Sequence, residues 1–469
     1  MSSGDSDLRL RRYRILVTGY AISSYGTFLN LVALNLYVYA VTDRALAVGV
    51  FMAVRLAAGF VTGSVAGAVL ARWSAKSAML WANLAQAATL VLLVLAPDGL
   101  HTAALCTVSA VVGGAGTLFM VALRSSIPSI VGEGRHTWAN SLMVSGRSLA
   151  MVAGFASSGV VVSLLGYTTA FVVDMATFLV CAVTVTLLPT TLAPGGDAVR
   201  EDDGKGTGAD GNDTGADGEK NLGGEKSPEG RRGARRLPAA VGALGAAPVL
   251  GLMVALRGVD ALGSSSHNAA LPVYSTRLDP HHPAVFVSVF WCVWALGNVL
   301  VQQVVQSVVK RTGGSVGALG FGLGTIAMSA TFILAFAGFP WAVTVPIALL
   351  AGAADGLTEV SYSSHLQTLP STLRTHAFGL SATVENLGFG VGMIAVAAAL
   401  DTFEPLPVVG VAHGAAIALA LVFVAQVLRR RGARAGEAAE EHDKGEGDGG
   451  PGPGPADSRH RDGAEISGG

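Results

Sequence analysis

From Arg200 to Arg236 the chain reads REDDGKGTGADGNDTGADGEKNLGGEKSPEGRRGARR, rich in Gly, Asp, Glu and Lys with almost nothing apolar. The place of this stretch decides the fold. Six long apolar segments precede it, from about Tyr13 to Pro189, and six more follow it, ending near Arg429. A helix needs ~20 apolar residues to cross a ~30 Å hydrocarbon layer. Lipid offers no partner to an open backbone, so each apolar run is expected to be helical. The expected fold is therefore an all-α membrane protein, with twelve transmembrane helices in two pseudo-symmetric six-helix bundles.

The expected organisation is a cytoplasmic N-terminal tail at 1–13, a first bundle at 14–189, a disordered linker at 190–240, a second bundle at 241–429 and a disordered tail at 430–469. Linker and tail hold too little apolar surface to fold. Composition agrees with a membrane protein. The chain is 51% hydrophobic and 13% charged, with a mean hydropathy of +0.53, whereas an ordinary soluble protein is ~25% charged.

The net charge of −1 hides a strong segregation. One set of alternating loops carries Arg72 and Lys76, Arg135, Arg231 to Arg236, Lys310 and Arg311, and Arg374. The opposite set has Arg44 and Arg277 beside Asp43, Asp98, Asp279, Asp401 and Glu404. The positive-inside rule then puts both termini and the linker in the cytoplasm of a multi-pass protein of the cell (inner) membrane. A missed helix would scramble that alternation. The first apolar run is too long for a cleaved signal and leads directly into another span.

Cys106, Cys181 and Cys292 all fall inside apolar runs and form no metal-ligand pattern, and the chain has no Gly-Lys-Ser/Thr phosphate loop. An enzyme, a metal site, a cofactor, ATP drive and a nucleic-acid partner are all left without support. The expected partners are the bilayer, a small-molecule substrate and protons, with the chain as a monomer. Duplicated bundles rocking about a central site are a recurring transporter design. Consistent with duplication, Ser126-Ile-Pro-Ser129 after the fourth span is echoed by Thr368-Leu-Pro-Ser371 after the tenth, and Leu36-Tyr-Val-Tyr39 by Leu271-Pro-Val-Tyr274.

Further stretches carry a family resemblance. Ile127-Pro-Ser-Ile-Val131, Ala139-Asn-Ser-Leu142, Gly154-Phe-Ala-Ser-Ser-Gly159 and Ala170-Phe-Val-Val-Asp-Met-Ala-Thr-Phe-Leu179 resemble the fifth-helix and sixth-helix region of the macrolide-efflux branch of the major facilitator superfamily. Leu369-Pro370, Arg374 and Phe378-Gly-Leu380 agree in the second half. The resemblance implies a drug or metabolite exporter, in many members a proton antiporter, with helices one, four, seven and ten around a central cavity. Three departures stand out. A first-helix Ser-x-x-Gly-Asp reads Ser23-Ser-Tyr-Gly26-Thr27, the loop Gly-x-x-x-Asp-Arg reads Gly67-Ala-Val-Leu-Ala71-Arg72, and the fifth-helix Gly-Pro reads Gly154-Phe155. Acid chemistry must then lie elsewhere.

An ionisable group in the bilayer costs at least ~2.5–3.5 kcal/mol on insertion scales, so each one marks a candidate site. The seventh span holds Arg257 and Asp260 and the tenth holds Asp355 and Glu359, with each pair on one helical face. Two midplane carboxylates cannot both ionise cheaply, so one is expected to carry a proton. Arg257, Asp260, Asp355 and Glu359 are therefore the proton-coupling candidates, against the plainer reading of an ion pair that fixes helix register. Arg72 and Glu385 are gating candidates. Thr27, Asn30, Arg124, His267 and Asn268 are substrate-cavity candidates, although polar contacts between helices explain the neutral ones equally well. Snorkelling to an interface is one reading of Arg55 and the favoured reading of Arg147, and Asp174 is expected to be structural.

The expected function is export of small hydrophobic or amphipathic organic molecules, an antibiotic or other secondary metabolite, by proton antiport. A siderophore exporter, a proton-coupled importer and a transport-inactive membrane sensor are the alternatives.

Overall fold

The computed structural model describes residues 3–132, 135–188, 248–312 and 317–447. Among these, every long element is a helix. We number them α1 (Ser3–Thr42), α2 (Ala45–Arg72), α3 (Ala75–Leu95), α4 (His101–Val131), α5 (His136–Val160) and α6 (Gly166–Thr186) in the first half. The second half contains α7 (Pro248–Leu278), α8 (Pro283–Thr312), α9 (Gly317–Ala335), α10 (Trp341–Gln367), α11 (Ser371–Leu400) and α12 (Pro405–Gly447).

Eleven described stretches are long and apolar enough to cross a membrane, and one of them, Trp138–Thr186, runs for 49 residues. At 1.5 Å per residue such a rod would be ~73 Å long, more than twice the hydrocarbon layer. It is two helices. α5 unwinds into a π-turn at Val161–Leu165, and Gly166 follows at φ +82°, a conformation that a side chain disfavours and that ends the helix. Twelve long helices result among the described residues.

The ends differ from the sequence expectation. α1 begins at Ser3 inside the stretch read as a tail, and α12 runs on to Gly447 past Arg429. Hydropathy marks only the lipid-embedded part of a helix, whereas the Ala, Glu and Arg residues of 430–447 are strong helix formers in water. The expected disordered linker at 190–240 and the tail beyond Gly447 lie outside the described residues.

Packing repeats between the halves. α1 packs on α5 and α6, α2 on α4, and α3 on α4 and α6. With every number raised by six the same set recurs, α7 on α11 and α12, α8 on α10, and α9 on α10 and α12. The matched sequence motifs do not hold matched places, however. Pro128 lies inside the last turn of α4, whereas Pro370 is the cap residue just before α11. Within a bundle, small residues set the closest approaches. A side chain on Gly352 of α10 would collide with the Trp294 backbone of α8, and one on Gly297 with the Leu349 backbone of α10.

The two halves meet at two symmetry-related seams, α5 with α8 and α2 with α11. Both seams close at the end of the molecule away from the chain termini. There Ser158 and Ser288 share a buried 2.7 Å hydrogen bond, and Phe155 stacks on Trp291 at 5.8 Å. The Asp401 carboxylate accepts from the backbone N–H of Ala45 at 2.7 Å, placing an anion at the positive N-terminus of α2. The apolar cores show the same asymmetry. At the closed end they include residues of both halves, Val287 and Ala295 beside Leu29 and Phe155, and Ala45 beside Met393 and Ala397. At the termini end one core is built from the first half alone and another from the second alone. The halves are joined at one end and parted at the other.

Candidate functional site

Between the parted halves lies a cavity of about 1010 Å³. Its first-half wall carries Thr27, Arg55, Arg124 and Arg147, and its second-half wall carries Trp294, Asn298, Asp355 and Glu359. Aromatic Phe28 and Trp294 line it together with polar and charged groups, an arrangement suited to an amphipathic small molecule.

The charges of the second half converge on one guanidinium. Arg257 donates through Nη2 to Glu359 at 2.6 Å and to Glu385 at 3.0 Å, and its Nη1 lies 3.9 Å from Asp260. Three helices, α7, α10 and α11, are thus tied through a single side chain, which also lies 5.2 Å over the Tyr362 ring. Glu359 and Glu385 are about half exposed, whereas Asp260 is nearly buried. Asp260 Oδ1 has no hydrogen-bond partner among the described residues. Asp355 accepts from Asn298 Nδ2 at 3.0 Å, and Asn298 in turn accepts from Gln302 at 2.7 Å. Three carboxylates therefore share one arginine while Asp355 rests on an amide, and the two aspartates lie near the middle of their helices.

The structure brings Arg257, Asp260, Asp355 and Glu359 together as one cluster. It adds Glu385, a gating candidate from sequence. α11 begins at Ser371 rather than near 376, so Glu385 sits halfway along it and reaches Arg257. Arg72, the other gating candidate, is exposed at the end of α2.

Three cavity candidates are not among the residues that line the cavity. Asn30 is buried and donates to Asp174 at 2.7 Å, so it holds α1 to α6 instead of facing the cavity. His267 is buried among α7, α9 and α12, stacked on Phe332 at 3.5 Å, with Nδ1 3.1 Å from His413 Nε2, which continues through His413 Nδ1 to Ser329. Asn268 donates to Ser264 of its own helix. Each places its donor or ring nitrogen on a neighbouring turn or helix, as burial demands of a polar group, although Asn30 Oδ1 has no partner among the described residues. Thr27 and Arg124 do line the cavity.

Arg147, expected at an interface, and Arg55 both line the cavity as well. Arg147 is about three turns into α5, because that helix begins at His136, and its guanidinium lies 5.1 Å over the Phe28 ring. Arg55 also faces the cavity and feels the buried Asp174 electrostatically. Asp174 is fully buried, accepting from Asn30 and Thr177, and Gly26 leaves the room it needs.

Known structures share this architecture. The nucleoside transporter NupG aligns with a TM-score of 0.64 at 15% identity, over 89% of this chain and 98% of that one. A bacterial homologue of the iron transporter ferroportin, in an inward-facing state, aligns at 0.63 with 12% identity over 88% and 98%. The POT family transporter PepTSo aligns at 0.62 with 12% identity over 90% and 98%. A search of curated protein sequences gave no match. The sequence model of the Major Facilitator Superfamily matches residues 16–393, most of the membrane portion. With its duplicated six-helix halves, its central cavity and that match, the chain belongs to the major facilitator superfamily of transporters.

Proposed function

We propose that this transporter exports small hydrophobic or amphipathic organic molecules, such as an antibiotic or other secondary metabolite, in exchange for protons. The observation that carries the coupling is the charge cluster: Asp260, Asp355, Glu359 and Glu385 gathered around Arg257. Four carboxylates and one arginine leave excess negative charge in a low-dielectric site, which a proton relieves. Asp355 and Glu359 face the cavity and Asp260 lies behind them, so a proton entering from the cavity reaches the partly satisfied groups first. Export, rather than import, is supported by the resemblance of the fifth and sixth helices to efflux transporters.

The seams support alternating access. With both termini in the cytoplasm, the closed end faces outward and the cavity opens inward, the state in which an exporter loads substrate. Transport then requires the α5–α8 and α2–α11 seams to part while the other end closes. Ser158→Cys with Ser288→Cys, in a Cys292→Ser background, is expected to form a disulfide that arrests transport, with reduction restoring it. The 2.7 Å separation of the two hydroxyls puts these positions within bridging reach. A fully active oxidised protein would rule out motion at that seam.

The direct test is accumulation of antibiotics and dyes in a pump-deficient bacterial host expressing the chain, with a protonophore added midway. The expected result is lowered accumulation that the protonophore reverses. Lowered accumulation that persists after the gradient collapses would exclude proton drive.

A further inference from the structure

We propose that the first-half wall of the cavity binds the anionic group, carboxylate or phosphate, of an amphipathic organic substrate through Arg55, Arg124 and Arg147. This rests on the transport reading of the same cavity and narrows its substrate class. All three arginines line the cavity, and none of the described lining residues of the first half is acidic. Among the described residues none of the three forms an ion pair, and Arg55 feels Asp174 only at a distance. The acids that line the opposite wall are already engaged, Glu359 by Arg257 and Asp355 by Asn298.

Guanidinium groups are costly within a membrane protein's interior and persist there where they face a water-filled path or a partner. Their planar forks match carboxylate and phosphate oxygens. A guanidinium stacked on a ring, as Arg147 is on Phe28, keeps its in-plane N–H donors for another partner. The Trp294 indole N–H on the second-half wall is buried without an acceptor among the described residues. The field across the cavity runs from a positive first half to a negative second half, which orients an anion head toward the arginines and its apolar body toward Phe28 and Trp294. Exchanging an outgoing anion for an incoming proton moves charge in the same sense twice, so the membrane potential itself favours export.

The test uses a thiol on Ser148, which lines the cavity next to Arg147. Ser148→Cys is made in the full chain with Cys106, Cys181 and Cys292 replaced by Ser, reconstituted in nanodiscs without a proton gradient. Modification rates are compared for sulfonatoethyl and trimethylammonioethyl methanethiosulfonate, relative to the same ratio on a free thiol. A focused positive field is expected to favour the sulfonate at least about tenfold. Arg124→Gln or Arg147→Gln should lower that preference, and Arg147→Lys should keep it. 2-Naphthoate or 2-naphthyl phosphate should slow modification where 2-naphthamide does not, and the better protector of the two identifies carboxylate or phosphate. A ratio like that of the free thiol overturns the anion site. So does equal protection by 2-naphthamide, or protection by none of the three. Because no gradient is present, such a failure leaves proton coupling standing. Protonophore-insensitive export would instead remove the coupling and leave the anion site.

Discussion

Asp260→Asn and Asp355→Asn, each made alone, are expected to cut the steady-state export gradient about 50-fold while leaving substrate counterflow within a few-fold of native. Asp260 is nearly buried, its closest cation contact is 3.9 Å away, and one of its oxygens has no partner among the described residues. Asp355 has an amide donor rather than a cation, and lines the cavity. Asparagine has the same shape as aspartate and cannot exchange a proton, so the substitution removes coupling without opening a void. One charge moved across 100 mV is worth ~2.3 kcal/mol, or ~50-fold in attainable concentration ratio. Losing one coupled proton should therefore lower the steady-state gradient by about that factor. The measurement is substrate accumulation in proteoliposomes with an imposed proton gradient, beside counterflow without one. Asp260→Asn, Asp355→Asn and Glu359→Gln variants that all concentrate substrate normally would sink proton antiport through this cluster.

Arg257→Gln is expected to damage both transport and stability. The arginine is the shared counter-ion of Glu359, Glu385 and Asp260, carried on three helices. Removing one partner of a buried ion pair typically costs ~3–5 kcal/mol, because the remaining charge is stranded. Two of the three carboxylates here are about half exposed and water screens them, which lowers the expectation to about 2–3 kcal/mol. In detergent, thermal unfolding monitored by size-exclusion chromatography should shift down by several degrees. Adding Glu359→Gln to Arg257→Gln should recover part of that shift without recovering transport, since the stranded charge falls while the link between α7 and α10 stays broken. A single variant that melts and pumps like the native protein would reduce the cluster to a surface feature.

The parts of this site that sequence exposes are those whose cost in lipid is large. Arg257, Asp260, Asp355 and Glu359 stand out because charge in an apolar run is rare, and their three- and four-residue spacing fixes a shared face. Neutral polar residues carry no such signal. Asn30 and His267 satisfy themselves on Asp174 and His413, far away in sequence, and hydropathy does not say which neighbour a helical face meets. Depth was misjudged for a different reason. Hydropathy places the start of α5 near 141 and of α11 near 376, while the helices begin at His136 and Ser371. Each residue counted from those starts, Arg147 and Glu385 in particular, sits deeper than the count suggests. The duplication, by contrast, is legible from segment number alone, because two bundles of six need no side-chain detail to be seen.

The carboxylate of Asp401 has one more consequence. The first amides of a helix have no acceptor within that helix, so the N–H groups of Ala45 and Leu46 depend on an oxygen supplied by the other half of the molecule. Whenever the seam parts, those two protons face water. Their rate of exchange for deuterium is therefore a clock for how often the closed end opens. Read with and without substrate, that clock reports the balance between the two states of the resting transporter with no label attached to it.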